Sequence, residues 1–188
     1  MKNVKFFISL YSFVLFGFFV YSFTQVDLNL TLSNNAIYQM IQQQLTQIGY
    51  FNRPLSTGVF ILLFLALFCC WGWFLYLVKN KKVSTKQFFL VLGTTVFALM
   101  LSYPAFSNDF FNYLFDARIV VKYGENPYIH KALDYPDDLW VRFMRWTHRT
   151  YPYGPVWLVL TVPVYALGMG KFVLTTLLYK LFFAMCYL

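Results

Sequence analysis

Acidic side chains are scarce in this sequence: seven Asp and Glu stand among 188 residues, and only Asp27 precedes Ser107. Charged residues of both signs reach 12%, against about 25% in soluble domains, which argues against an ordinary water-solvated surface. Histidine occurs twice, as His130 and His148, and cysteine three times, as Cys69, Cys70 and Cys186. The cysteines sit in apolar runs with no CxxC spacing and no nearby histidine, so they read as small core residues and not as zinc ligands. What the chain has in abundance is apolar surface, at 60% hydrophobic and 23% aromatic residues. Because a bilayer crossing uses roughly 20 apolar residues, this composition reads as an integral membrane protein with four or five spans. The +8 net charge is no nucleic-acid footprint, since the basic residues do not form one solvated face.

Hydropathy divides the chain. Val4 to Phe23 is long enough to span and follows Lys2 and Lys5, which predicts a retained anchor with a cytoplasmic N-terminus; a signal peptide is the alternative. Gln25 to Thr57 is polar and predicts an external loop with a short helix. Gly58 to Val78 predicts a second span, ending in Lys79, Lys81, Lys82 and Lys86, a purely basic turn of the cytoplasmic kind. Phe88 to Phe106 then runs outward as the third span. Ser107 to Gly154 balances Arg118, Lys122, Lys131, Arg142, Arg145 and Arg149 against Asp109, Asp116, Glu125, Asp134, Asp137 and Asp138, and is read as a large exoplasmic loop. Pro155 to Gly168, interrupted by Pro163, either extends through Lys171 as a kinked helix or only dips into the membrane. Phe172 to Leu188 is apolar around Lys180 and is expected to be cut off within a span. The expected fold class is an all-α, polytopic transmembrane bundle: three spans and an external loop over 1-106, a catalytic-type loop carrying amphipathic helices over 107-154, and one or two further membrane segments over 155-188.

The large loop carries the chemistry. Ser107-Asn108-Asp109 fits a helix start. A helix over Asp109–Val121 places Asp109, Asn112, Tyr113 and Asp116 on one polar stripe, with Phe110, Phe111, Leu114 and Phe115 facing elsewhere. The two carboxylates then lie about 10 Å apart along the axis, too far for a shared proton but suited to lining one cleft. The alternative is that Asp109 merely favours the helix start while Asp116 pairs with Arg118 or Lys122. Gly124 suits a left-handed helix end and Pro127 blocks continuation. Leu139 to Thr150 has helical periodicity again, with Trp140, Phe143, Met144 and Thr147 on one face. Arg142, Arg145 and Arg149 fall on another, able to hold a phosphate or to snorkel to headgroups. Tyr151-Pro152-Tyr153-Gly154-Pro155-Val156-Trp157 is a rigid turn into an apolar segment, with aromatics for a membrane boundary.

Ser107-Asn108-Asp109, Asp116-Ala117-Arg118, Gly124-Glu125-Asn126-Pro127-Tyr128 and Tyr151-Pro152-Tyr153-Gly154-Pro155-x-Trp157, in that order between apolar segments, resemble the first large external loop of GT-C-type glycosyltransferases. The likeness is to bacterial polyprenyl-phosphate-dependent mannosyltransferases and, more distantly, to the catalytic subunit of the GPI mannosyltransferase. It covers Pro104 to Lys180. It implies a plasma-membrane enzyme that takes a hexose such as mannose from a polyprenyl-phosphate donor and passes it to an exoplasmic glycan or lipid acceptor, without nucleic acid as a partner. By position Asp109 inherits the role of the acidic residue near the reacting centre, as catalytic base, with Asp116 next. Arg142, Arg145, Arg149 and Lys180 are the cations for the donor phosphate, and Asn126, Tyr128 and Tyr153 shape the loop or meet the acceptor. No cofactor is expected; carboxylates can bind magnesium or manganese, but no compact Asp-x-Asp is present to hold a metal. The family usually has many more spans, so this chain alone is expected to be inactive. Two other classes remain open: a transporter or flippase subunit, which calls for charges deep in several spans where only Lys180 qualifies, and a noncatalytic membrane scaffold.

Overall fold

The order of apolar runs and polar breaks produces seven α-helices among the described residues, in a computed structural model that describes residues 2–187. The side chain of Lys2 and the whole of Leu188, both used in the expectations above, lie outside the described residues. No strand forms among the described residues, only one isolated antiparallel bridge between Lys131 and Thr150. The helices are α1 (Lys2–Ser22), α2 (Ala36–Thr46), α3 (Arg53–Lys79), α4 (Thr85–Leu101), α5 (Asp109–Arg118), α6 (Pro155–Leu167) and α7 (Phe172–Tyr187). They divide into two compact units, Met1–Ala105 and Phe106–Leu188.

In the first unit α1 packs against both α3 and α4. The Tyr21 hydroxyl meets the Ser56 hydroxyl at 3.1 Å near the start of α3, and Phe7 stacks on Phe74 near its end, so α1 and α3 are antiparallel. The Tyr11 hydroxyl meets Thr95 at 2.8 Å, and the Tyr103 N–H donates to Ser22 Oγ at 2.9 Å, so α4 runs parallel to α1. Val4, Phe7, Val14, Cys70, Leu77 and Val91 form the core between them. Local chemistry sets the helix ends. Asn52 Oδ1 accepts the Leu55 N–H at the start of α3, and Ser84 and Gln87 exchange capping bonds at the start of α4. Cys70 is buried as a core residue, but Cys69 and Cys186 are exposed, which corrects the expectation that all three pack inside. Helices are apolar all round here, so a core position cannot be told from an outward one by pattern alone.

Two helical stretches, Val4–Gln25 and Arg53–Lys79, are long and apolar enough to cross a membrane. Outward-facing side chains on α3 include Leu62, Leu65, Phe68 and Trp71, an apolar surface that water does not favour. The shorter apolar helices are α4, α6 and α7. Helix α6, with 13 residues, is about 20 Å long at 1.5 Å per residue, short of a hydrocarbon core of about 30 Å. It stops at Leu167 instead of running through Lys171. A turn then leads into α7, with Met169 and Gly170 at positive φ.

In the second unit α5 packs on α6 and α7. The buried Tyr179 hydroxyl donates to the Tyr113 and Thr161 carbonyls, at 3.3 and 3.1 Å, tying all three helices. At Gly168 an added Cβ would stand 2.1 Å from Thr175 Oγ1, so α6 and α7 close on each other where only glycine fits. Helix α5 begins where the sequence places it, with Ser107 Oγ accepting the Asp109 N–H at 3.2 Å. After Arg118 it loosens into one π-helical turn, Ile119–Tyr123, which ends on left-handed Gly124 at φ 68°.

The expected amphipathic helix over Leu139–Thr150 does not form. Only a 3-10 turn, Leu139–Phe143, is present, and the chain then runs irregularly to Thr150. Asp138, whose carboxylate is almost wholly buried, ties the start of this stretch to the end of α5. Its Oδ2 accepts from Arg118 Nε at 2.7 Å, Lys122 Nζ at 2.9 Å and the Tyr123 hydroxyl at 2.6 Å, and its Oδ1 accepts the Trp140 N–H at 3.0 Å. The Arg118 guanidinium lies 4.1 Å from the Trp140 ring centre and donates to the Tyr165 hydroxyl at 2.8 Å. Trp140 is therefore buried. Phe143 stacks on Phe172 at 4.1 Å, and these tertiary contacts outweigh periodicity.

Burial disfavours the Asp138 charge, but Arg118, Tyr123, the Trp140 N–H and Lys122 together outweigh it and hold the carboxyl well below the usual range. Its contribution to stability is present above about pH 4, the unfolded value, and is lost as pH falls through the lower folded value. Asp138→Asn in the full chain should cost about 3–5 kcal/mol, the usual loss on breaking a buried pair. Lys122→Met should cost far less, because its side chain is 44% exposed and water screens it. Thermal unfolding in detergent across pH 3 to 8 checks both, and equal losses in the two variants would contradict this ranking.

Candidate active-site cleft

Helix α5 presents Asp109, Asn112 and Asp116 to one cleft, closed on its other side by Trp146, Arg149, Thr150, Pro152 and Tyr153, with a volume of about 170 Å³. The polar stripe expected from spacing is thus real, and its opposite face, Phe110, Phe111, Leu114 and Phe115, is buried. The far wall is built by two turns that dock on each other. The Tyr151 N–H donates to the Pro127 carbonyl at 2.8 Å, and the Tyr128 hydroxyl donates to the Tyr153 carbonyl at 3.0 Å. The rings of Tyr128 and Tyr151 meet edge-on at 5.0 Å. Asn126 shapes the first turn, its Oδ1 accepting the Tyr128 N–H at 3.0 Å.

The carboxylates differ in setting. Asp109 is half-buried at the helix start, while Asp116 is 7% exposed. Arg118 and Lys122 are committed to Asp138, so Asp116 has neither as a partner, which overturns the pairing alternative. Among the described residues its Oδ2 is buried without a hydrogen-bond partner, as is Oδ1 of Asn112, another cleft residue. Burial pushes the Asp116 carboxyl up to about 7. Burial, contact with Tyr113 and the nearby Asp109 and Asp116 push the Tyr153 phenol up as well, so its hydroxyl keeps its proton.

Of the arginines, only Arg149 reaches the cleft, its guanidinium 4.6 Å from the Trp146 ring centre. Arg142, on the 3-10 turn, and Arg145, on the irregular stretch after it, are exposed and do not line it, because the helix meant to align the three is absent. Lys180 lies half-buried on α7 and is not among the lining residues. Residues that sequence reasoning missed are Trp146 and Thr150 as cleft walls and Asp138 as the anchor. Arg118 and Lys122, four apart and both basic, were the available signal for a buried acid nearby. Among the described residues no group of three or more His, Cys, Asp or Glu side chains is placed to hold a metal ion.

A buried carboxyl whose folded value is raised contributes stability that is full below about pH 4 and fades as pH climbs toward the folded value near 7. Asp109, Tyr151, Tyr153 and Tyr179 are the titratable groups around it, with Arg149 on the opposite wall. Asp116→Asn should therefore melt with the parent protein at about pH 4 and several degrees above it at pH 8. A gap that does not widen with pH would mean that Asp116 is not held in a desolvated place.

No curated protein and no solved structure matches the chain. The family model described as "Alpha-(1->6)-mannopyranosyltransferase, N-terminal domain" matches residues 14–188, which takes in α5, the cleft and both docked turns. The chain therefore belongs to the alpha-(1->6)-mannopyranosyltransferase family, through its N-terminal domain.

Proposed function

We propose that this chain is the N-terminal domain of a membrane glycosyltransferase that moves a hexose, mannose by family, from a polyprenyl-phosphate donor to a glycan or lipid acceptor. The observation that carries the reading is the cleft that joins Asp109 and Asp116 to Arg149. Asp109, half-buried at the start of α5, takes the proton of the acceptor hydroxyl. The acceptor oxygen then bonds to the anomeric carbon as the bond from that carbon to the phosphate oxygen breaks. The lipid phosphate leaves with the electron pair, and Arg149, fixed against Trp146, meets its charge. Asp116 orients the acceptor. It is also the second choice for the base, since a carboxyl near 7 is well matched to proton transfer at neutral pH.

The membrane setting follows from the apolar helices. In this reading α1, α3 and α4 cross a plasma membrane of bacterial type, and α6 and α7 form further membrane segments of a polytopic bundle. The basic Lys79–Lys86 turn is cytoplasmic and the α5 loop exoplasmic. Cysteine labelling from outside intact cells, in a background without native cysteines, should modify position 131 and spare position 82. The reverse pattern would place the cleft on the wrong side for a lipid-linked donor facing outward.

In the full-length enzyme, Asp109→Asn should keep membrane abundance and lose transfer by at least about a hundredfold at saturating donor. Asp116→Asn should lose less. Arg149→Gln should raise the apparent donor KM, whereas Arg142→Gln should leave it unchanged. Near-normal turnover in Asp109→Asn would sink the base assignment, and a collapse confined to Asp116→Asn would hand that role to Asp116.

A further inference from the structure

Between α1, α3 and α4 the first unit holds an apolar cavity of about 220 Å³, with the buried Phe7, Cys70 and Val91 deepest in its lining. Tyr11, Leu67 and Phe74 are half-buried along its walls and Trp71 is exposed at its rim, so the cavity opens on the outer surface of the helices. The Tyr11 hydroxyl is already bonded to Thr95 at 2.8 Å. The lining therefore offers little to a polar ligand and fits a hydrocarbon chain.

A lysine stands just beyond this lining on each of the three helices, at the same end of the unit. Lys5 precedes Phe7 by two residues, Lys79 follows Phe74 by five, and Lys86 precedes Val91 by five. At 1.5 Å per residue each is within about 8 Å of the lining along its helix axis. Lys81 and Lys82 lie in the turn between α3 and α4, and all five lysines are exposed. Asn80 Nδ2 fixes that turn by donating to the Tyr76 carbonyl at 2.7 Å, as does the Lys82 N–H by donating to the Leu77 carbonyl at 3.0 Å. The one acid of the unit, Asp27, lies beyond the opposite end of α1. An apolar slot ringed by cations alone complements a lipid with an anionic headgroup, and basic clusters beside membrane spans attract such lipids.

We propose that this cavity seats one acyl chain of an anionic glycerophospholipid whose phosphate the surrounding lysines meet. The inference rests on the reading that α1, α3 and α4 cross the membrane, and it is independent of the sugar chemistry of the second unit. An isoprenoid phosphate has a similar tail and charge, but in that reading the donor's phosphate faces the opposite side of the membrane, away from these lysines.

The full-length protein, extracted in a non-ionic detergent, is titrated with phosphatidylglycerol and with phosphatidylcholine of identical acyl chains, and bound lipid is counted by native mass spectrometry. One phosphatidylglycerol should bind at least about tenfold more tightly than phosphatidylcholine. Lys79→Gln combined with Lys86→Gln should weaken phosphatidylglycerol about fivefold per lysine and leave phosphatidylcholine unchanged. Leu67→Trp, which fills the cavity, should weaken both lipids while the lysines remain. Trp71→Ala, at an exposed position, should do the same and serves if the larger side chain unfolds the protein, with thermal melting as the check on both. Equal affinity for the two lipids would overturn the proposal. Unchanged phosphatidylglycerol binding in folded Leu67→Trp and Trp71→Ala would also overturn it, since only diffuse attraction at the lysines would be left. Displacement of phosphatidylglycerol by an equimolar polyprenyl phosphate would give the cavity to the isoprenoid instead. Release of the protein from its membranes by alkaline carbonate would overturn the spanning reading and the proposal together, whereas the other contrary results, with carbonate-resistant protein, would overturn the proposal alone.

Discussion

The carboxylate of Asp138 organises the second unit. It lies almost fully out of solvent, and three cation or phenol donors converge on one of its oxygens while a backbone N–H takes the other. Because a buried charge is tolerable only when its hydrogen bonds are complete, the end of α5, the π-helical turn and the 139–143 segment must all be present for any one of them to be stable there. Arg118 carries the same constraint into α6 through Tyr165. The cleft inherits its geometry from this arrangement: Asp116 sits two residues before Arg118, so anchoring Arg118 outward from the cleft leaves Asp116 pointing into it.

The two cleft carboxyls show how one short helix can hold unlike acids. Asp109 stands half-buried at the helix start. Asp116, two turns on, is enclosed, and burial pushes its carboxyl up to about 7.

Much of this was legible in the sequence, for reasons that can be named. Helices α1 and α3 follow from uninterrupted apolar length, and the start of α5 and its end at Gly124 follow from residues whose backbone preferences leave few options. The stripe of Asp109, Asn112 and Asp116 survived because a helix fixes spacing by itself. Arg142, Arg145 and Arg149 were misread for the converse reason. Their alignment depended on a helix whose periodicity was genuine but weak, and long-range bonds to Asp138 and stacking of Phe143 on Phe172 were stronger. Nor could sequence show that the Asn126-Pro127-Tyr128 and Tyr151-Pro152-Tyr153 turns pack on each other, since the bond between them joins residues far apart in the chain.

The close approach at Gly168 bears on how the chain is built into its surroundings. With Thr175 filling the space a side chain would need, α6 and α7 are two arms of one hairpin and not independent rods. An arm of about 20 Å so clasped moves with its partner, and a bulky residue at position 168 would prise the two apart and loosen the wall on which α5 rests.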